Sequence, residues 1–188
     1  MKKKLTIKKL APLLFLFLVM GCSSKEYYTL GDTSSIKQLT PYKGNIAIQK
    51  VDIPKYLKEN AIIKQISPYK VVRLKNAHWL SPMEKQLTNV LINYLQKSMN
   101  NPNIYLYPWE SPNKIEKKVS LKIKRFITYK NEVTLEASYK IDDLKNKTHK
   151  TKLFSCKTPT NTEIESMIEA MEKSYFKLIT EINKDIIK

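Results

Sequence analysis

Val133, Leu135, Ala137, Tyr139 and Ile141 alternate with Thr134, Glu136, Ser138, Lys140 and Asp142. That period of two marks a strand with one wet face. Just upstream, Val119, Leu121 and Ile123 alternate with Ser120, Lys122 and Lys124, but Phe126 falls out of phase, which predicts a bulge near Arg125. The two runs read as an antiparallel hairpin turning near Lys130-Asn131, and residues 148–157 add the third strand of a meander after a turn at 142–146. Residues 46–53 are rich in β-branched side chains and stop at Pro54, so they predict another strand. Residues 61–66 and 69–74 are split by Ser67-Pro68 and predict a hairpin, while residues 27–30 and 104–107 predict two short strands.

Elsewhere the period changes to that of a helix. Ser81-Pro82-Met83-Glu84 offers a cap hydroxyl, a first-turn proline and a reciprocal glutamate, which predicts a helix from Pro82. Its apolar stripe is Met83, Leu87, Val90, Leu91, Tyr94 and Leu95, and Asn100-Asn101-Pro102 ends it. A second amphipathic helix closes the chain, capped at Thr160 or Thr162, with Ile164, Ile168, Met171, Tyr175, Leu178, Ile182 and Ile186 facing inward. The predicted fold is α+β: an antiparallel β-sheet with two main amphipathic helices packed against it, in a single compact domain.

One apolar run belongs to neither pattern. Lys2, Lys3, Lys4, Lys8 and Lys9 form a basic head without an acid, followed by apolar residues 10–20 and then Gly21-Cys22-Ser23. A bilayer-spanning helix needs about 20 apolar residues, whereas the apolar region of a secretory signal takes ~7–15. A small residue directly before Cys22 resembles the bacterial lipobox, which implies diacylation of the Cys22 thiol, cleavage before it and acylation of the new amino terminus. On this reading residues 1–21 are a lipoprotein signal peptide, residues 22–26 a short tether and residues 27–188 the folded domain. Ser23 stands where the inner-membrane retention signal of enteric lipoproteins has an aspartate, so the resemblance favours the outer membrane.

Composition narrows the function. The chain carries +17, and removing residues 1–21 takes away five lysines and no acid, leaving +12. Only Arg73 and Arg125 are arginine. The lysines are scattered, without the arginine forks or interleaved aromatics of sequence readers, so nucleic acid is not the partner. An anionic lipid surface remains compatible with the charge. With Cys22 consumed by lipid, Cys156 has no intramolecular disulfide partner and reads as a small buried side chain in a strand, an intermolecular disulfide or a reactive thiol being the alternatives. His78 and His149 lack cysteines or carboxylates at ligand spacing, so no metal site is predicted. Gly21, Gly31 and Gly44 are the only glycines, too few for a phosphate loop, and no G-x-S-x-G elbow occurs. Asp142-Asp143 falls in a turn rather than a cleft. No cofactor is predicted, and the protein is not predicted to be an enzyme.

Several segments, in order, resemble the ABC-type transport auxiliary lipoproteins. They are the lipobox, Tyr27-Tyr28-Thr29-Leu30, Val51-Asp52-Ile53-Pro54-Lys55-Tyr56-Leu57, Trp79-Leu80-Ser81-Pro82-Met83, Arg125-Phe126, Leu135-Glu136-Ala137-Ser138-Tyr139 and the long C-terminal helix. Leu80 stands where the family has alanine and Met83 where it has leucine, changes that leave the apolar pattern intact. The resemblance implies a compact domain anchored through Cys22 to the periplasmic face of the outer membrane. There it would act as a non-catalytic component of a lipid transport system, contacting an MCE-domain protein and its ABC permease and ATPase. Homo-oligomerisation is compatible with such a role. A rival reading is an outer-membrane lipoprotein that activates a cell-wall (peptidoglycan) enzyme, although the usual long tether of such activators is missing. Tyr56, Leu57, His78 and Trp79 lie at predicted strand ends, where an exposed aromatic binds a partner. Trp79 equally suits a plug beneath the first helix.

Overall fold

The computed structural model describes residues 24–34, 36–38, 41–108 and 114–188, which form a single α+β domain. The signal peptide and Cys22 lie outside the described residues, as do Trp109 and the turn predicted at 111–113. The strands are β1 (Glu26–Tyr28), β2 (Ile46–Gln49), β3 (Ala61–Ser67), β4 (Lys70–Trp79), β5 (Ile104–Tyr107), β6 (Lys117–Tyr129), β7 (Glu132–Asp143) and β8 (Thr148–Pro159). The helices are α1 (Met83–Met99) and α2 (Ile164–Ile187), with a 3-10 turn at Lys55–Lys58.

The long strand β6 organises the sheet. One of its edges pairs with β7 along its whole length, with the register shift between Ile123 and Arg125 that the out-of-phase Phe126 predicts. β7 in turn pairs with β8. The other edge is shared, because the first residues of β6 take β2 and the last take β3, with a single bridge from Asp52 to Lys122 between them. β5 extends the β2 side, while β4 and then β1 extend the β3 side. The sheet is therefore mixed, which corrects the antiparallel expectation. β3/β4, β6/β7 and β7/β8 are joined by tight turns and pair antiparallel. β1/β4, β2/β5, β2/β6 and β3/β6 are joined by long connections and pair parallel, as crossovers require.

Both helices pack on one face of this sheet, and the core lies between. The predicted α1 stripe is wholly buried, and that of α2 is buried except at Ile164, which packs against the core edge. Neither predicted cap forms. Pro82 stays extended (φ −51°, ψ 129°), so α1 starts one residue later than the motif requires, and no side chain caps it. The Pro82 carbonyl accepts from the N–H groups of Lys85 and Gln86, while Glu84 pairs with Lys50. At α2 the cap position falls on Glu163, again without a side-chain bond, since Asn161 Oδ1 accepts from the Glu163 N–H and Thr160 Oγ1 meets Ser166 Oγ at 3.0 Å. The helices are tied together by polar bonds as well as apolar packing: Tyr175 Oη donates to the Leu87 carbonyl at 2.8 Å, and Tyr94 Oη lies 2.8 Å from Thr180 Oγ1.

The segment after β1 straps this layer from outside. The Leu30 N–H donates to Gln86 Oε1 of α1 at 2.8 Å, and the N–H groups of Gly31 and Asp32 donate to Glu172 Oε2 of α2 at 2.6 and 3.0 Å. Gly31 has φ +101°, and a Cβ placed there would lie 2.1 Å from Val90 Cγ2. Only glycine suits both the conformation and the approach.

Candidate interaction site

The residues of the Tyr56-Leu57 and His78-Trp79 pairs divide by burial. Leu57 and Trp79 are 3% and 4% exposed and belong to the core, so Trp79 fills the space beneath α1. Tyr56 and His78 are half-buried. Tyr56 Oη accepts the Phe126 N–H at 2.9 Å, which holds the β6 bulge in place. Burial raises the pKa of this phenol. His78 pairs in register with Tyr27, with ring centroids 5.9 Å apart, and its buried Nδ1 has no hydrogen-bond partner. Beside it, Tyr27 is 59% exposed and Leu80 66% exposed. The β1/β4 end therefore presents Tyr27, His78 and Leu80, backed from within by Trp79. Sequence reasoning named His78 and missed Tyr27 and Leu80. No local signal marked Tyr27, because its position follows from the parallel pairing of β1 with β4.

A charged cluster stiffens the opposite edge of the sheet. Asp185 of α2 has only 1% of its side chain exposed, yet it accepts from Tyr139 Oη at 2.6 Å, Lys150 Nζ at 2.8 Å and Lys152 Nζ at 2.7 Å. Burial alone would raise its carboxyl, but these three donors and the Lys150 charge overcome it and hold it well below the usual carboxylate range. Burial, and then the bond to Asp185, push the Tyr139 phenol well up. Lys152 rises through its hydrogen bond to the same carboxylate. The cluster fastens α2 to β7 and β8.

Nearby, Cys156 packs partly buried between β8 and α2, with Sγ 3.9 Å from the Ser174 carbonyl. It is less enclosed than the sequence predicts, because β8 is the outer strand of the sheet. Desolvation raises its pKa, which disfavours the reactive thiolate. Asp142 and Asp143 end β7 rather than lying in the turn expected at 142–146, which begins after them; Asp143 accepts the N–H and Nδ2 of Asn146 in that turn, while Asp142 pairs with Lys140. Among the described residues, no three His, Cys, Asp or Glu side chains gather as a metal-binding group, and no helix is long and apolar enough to cross a membrane.

Comparison with known proteins places this geometry. The family model for an ABC-type transport auxiliary lipoprotein component matches residues 28–183. Over 78 residues the chain is 38% identical to the intermembrane transport lipoprotein PqiC of Escherichia coli (strain K12), the match covering 38% of this chain and 42% of PqiC. PqiC of Shigella flexneri matches to the same extent. The chain thus spans less than half the length of the curated relatives it matches. The crystal structure of an uncharacterized protein, 17% identical, superposes with a TM-score of 0.70 over 87% of this chain and 99% of that one. That of a Xanthomonas campestris protein, 14% identical, superposes with a TM-score of 0.68 over 84% and 92%. At those identities the structures report the fold alone.

Proposed function

The chain belongs to the ABC-type transport auxiliary lipoprotein family, and from that premise we propose that it serves as a non-catalytic, lipid-anchored component of a lipid transport system in the bacterial cell envelope. The observation that carries the proposal is the reach of the family match, from Tyr28 at the end of β1 to Asn183 in α2, which takes in strands β2 to β8, α1 and most of α2. The 38% identity to an intermembrane transport lipoprotein supports the same direction.

In this reading the Cys22 thiol carries a diacyl anchor, since two or more acyl chains hold a protein stably on a membrane. The anchor lies in the outer membrane, facing the periplasm. The domain contacts an MCE-domain protein that is linked to an ABC permease and ATPase, and it steadies or caps the conduit so that lipid crosses the periplasm shielded from water. Partner contact falls to the exposed surface beside His78 and Tyr56, while Leu57 and Trp79 support that surface from the core.

Deleting the coding sequence and following labelled phospholipid between the two membranes tests the role. Slower exchange, restored by the wild-type chain and not by Cys22→Ala, is the expected result. Unchanged exchange together with altered peptidoglycan crosslinking would overturn it in favour of a cell-wall role.

A further inference from the structure

The β3–β4 hairpin carries an apolar tip. Pro68 and Tyr69 form its turn, Tyr69 is 100% exposed, and Ile66 and Val71 beside it are 46% and 54% exposed. Lysines surround this tip. Lys64 and Lys70 flank it on the two strands, and Lys130 stands at the adjacent β6–β7 turn because β3 and β6 run parallel, with Gln65 beside Tyr129. Of the nearby acids, Glu59 pairs with Arg73 and Glu132 with Lys157, while Glu136 lies opposite Arg125 in the β6/β7 register. Among the described residues none of the three lysines forms an ion pair, and Lys130 Nζ lies 5.5 Å from the centre of the Tyr129 ring. An aromatic tip ringed by cations matches the boundary of an anionic bilayer, where tyrosine lies at headgroup level and lysine is attracted to acidic lipid.

The start of the chain points the same way. β1 runs parallel to β4, with Glu26 beside Ala77, so the chain enters β1 from the side of the hairpin turn. An extended chain rises about 3.3 Å per residue. Glu26 is four residues from Cys22 in the sequence, and Ala77 is about 26 Å along β4 from Tyr69. The β7–β8 turn is less suited, since among the described residues Leu144 is the exposed large apolar side chain there and Asp142 and Asp143 lie beside it.

We propose that the β3–β4 hairpin tip, Ile66, Tyr69 and Val71 with Lys64, Lys70 and Lys130, is a second membrane contact, additional to the Cys22 anchor, that enters the headgroup layer of an anionic phospholipid surface. The proposal rests on the lipid-anchored reading above. Two points of attachment fix the orientation of the domain, standing the long axis of β6 away from the bilayer and holding the β7–β8 turn about 40 Å from it.

The test uses the purified lipoprotein bearing Cys156→Ser, with a nitrobenzoxadiazole label on Tyr69→Cys or, as control, on Leu144→Cys. Each is reconstituted with phosphatidylethanolamine vesicles with and without phosphatidylglycerol. Flotation reports the anchor and label emission reports the tip, so the two fail separately. The expected result is a blue shift and protection from aqueous iodide at position 69, larger with phosphatidylglycerol, and neither at position 144. A protein that floats with a water-like label at 69, or whose label at 144 responds instead, overturns the proposal. If the protein does not float, the anchored reading fails. The same label is then followed as phosphatidylglycerol vesicles are added, and an unshifted emission overturns the tip contact as well.

Discussion

Replacing Asp185 by asparagine removes one charge at nearly constant shape, so it isolates the electrostatic fastening of α2. The carboxylate accepts three hydrogen bonds while only 1% of its side chain is exposed. A buried bond to a charged group contributes about 1.5–3 kcal/mol. That value applies to Tyr139, which is itself 2% exposed. Lys150 and Lys152 have 41% and 40% of their side chains exposed, so water screens them and about 0.5–1 kcal/mol each is the fitting scale. Together these give a loss of about 2.5–5 kcal/mol for Asp185→Asn. With a urea slope of about 2 kcal/mol per molar, the unfolding midpoint falls by about 1–2.5 M at neutral pH. The pH dependence has a definite sign. Because the folded carboxyl is held below its unfolded value, its contribution is complete above the unfolded pKa of about 3.9 and is lost as pH falls through the folded one. The gap between wild type and variant should hold steady from pH 7 to about 5 and narrow below about 4. Equal midpoints at pH 7, or a gap that persists undiminished in acid, would refute the reasoning.

Gly31→Ala should destabilise by more than the about 1–2 kcal/mol of a left-handed backbone alone, because its methyl meets Val90; Val90→Ala in the same chain should relieve the clash and not the backbone cost, which a double-mutant cycle by urea denaturation separates. Tyr175→Phe should cost about 1–2 kcal/mol in thermal or urea unfolding, since its buried hydroxyl supplies the bond to the Leu87 carbonyl between the helices. Cys156 should react with a thiol reagent more slowly than a free thiol at pH 7, and faster as pH rises or urea is added, because desolvation raises its pKa; equal rates in the folded and unfolded protein would contradict that burial.

Local pattern carried the elements well and their assembly less well. The alternation in β7, the bulge at Arg125 and the stripes of both helices follow from side-chain period, a property of neighbouring residues. The parallel pairings do not, because β2 meets β5 across more than fifty intervening residues and no turn signal marks such an encounter. The helix caps failed for a reason visible only in three dimensions: Pro82 holds an extended conformation as the chain leaves β4, which shifts the start of α1 past the motif. At the candidate site, sequence placed Trp79 and Leu57 at strand ends but could not choose between core and surface, since both environments accept a large apolar side chain. Their burial leaves Tyr27 and Leu80 exposed beside the half-buried His78. Asp185 went unnoticed because an acid on a helix ordinarily faces water. Its partners lie on β7 and β8, thirty-three or more residues away in the chain.

The most direct test of membership in a transport machine is affinity purification of the tagged lipoprotein from detergent-solubilised envelope, with its partners identified by mass spectrometry. Recovery of an MCE-domain protein together with an ABC permease and ATPase, reduced when Leu80 and Tyr27 are replaced by charged residues in a chain that still folds, is the predicted result. Recovery of peptidoglycan synthases without any transporter would contradict the account.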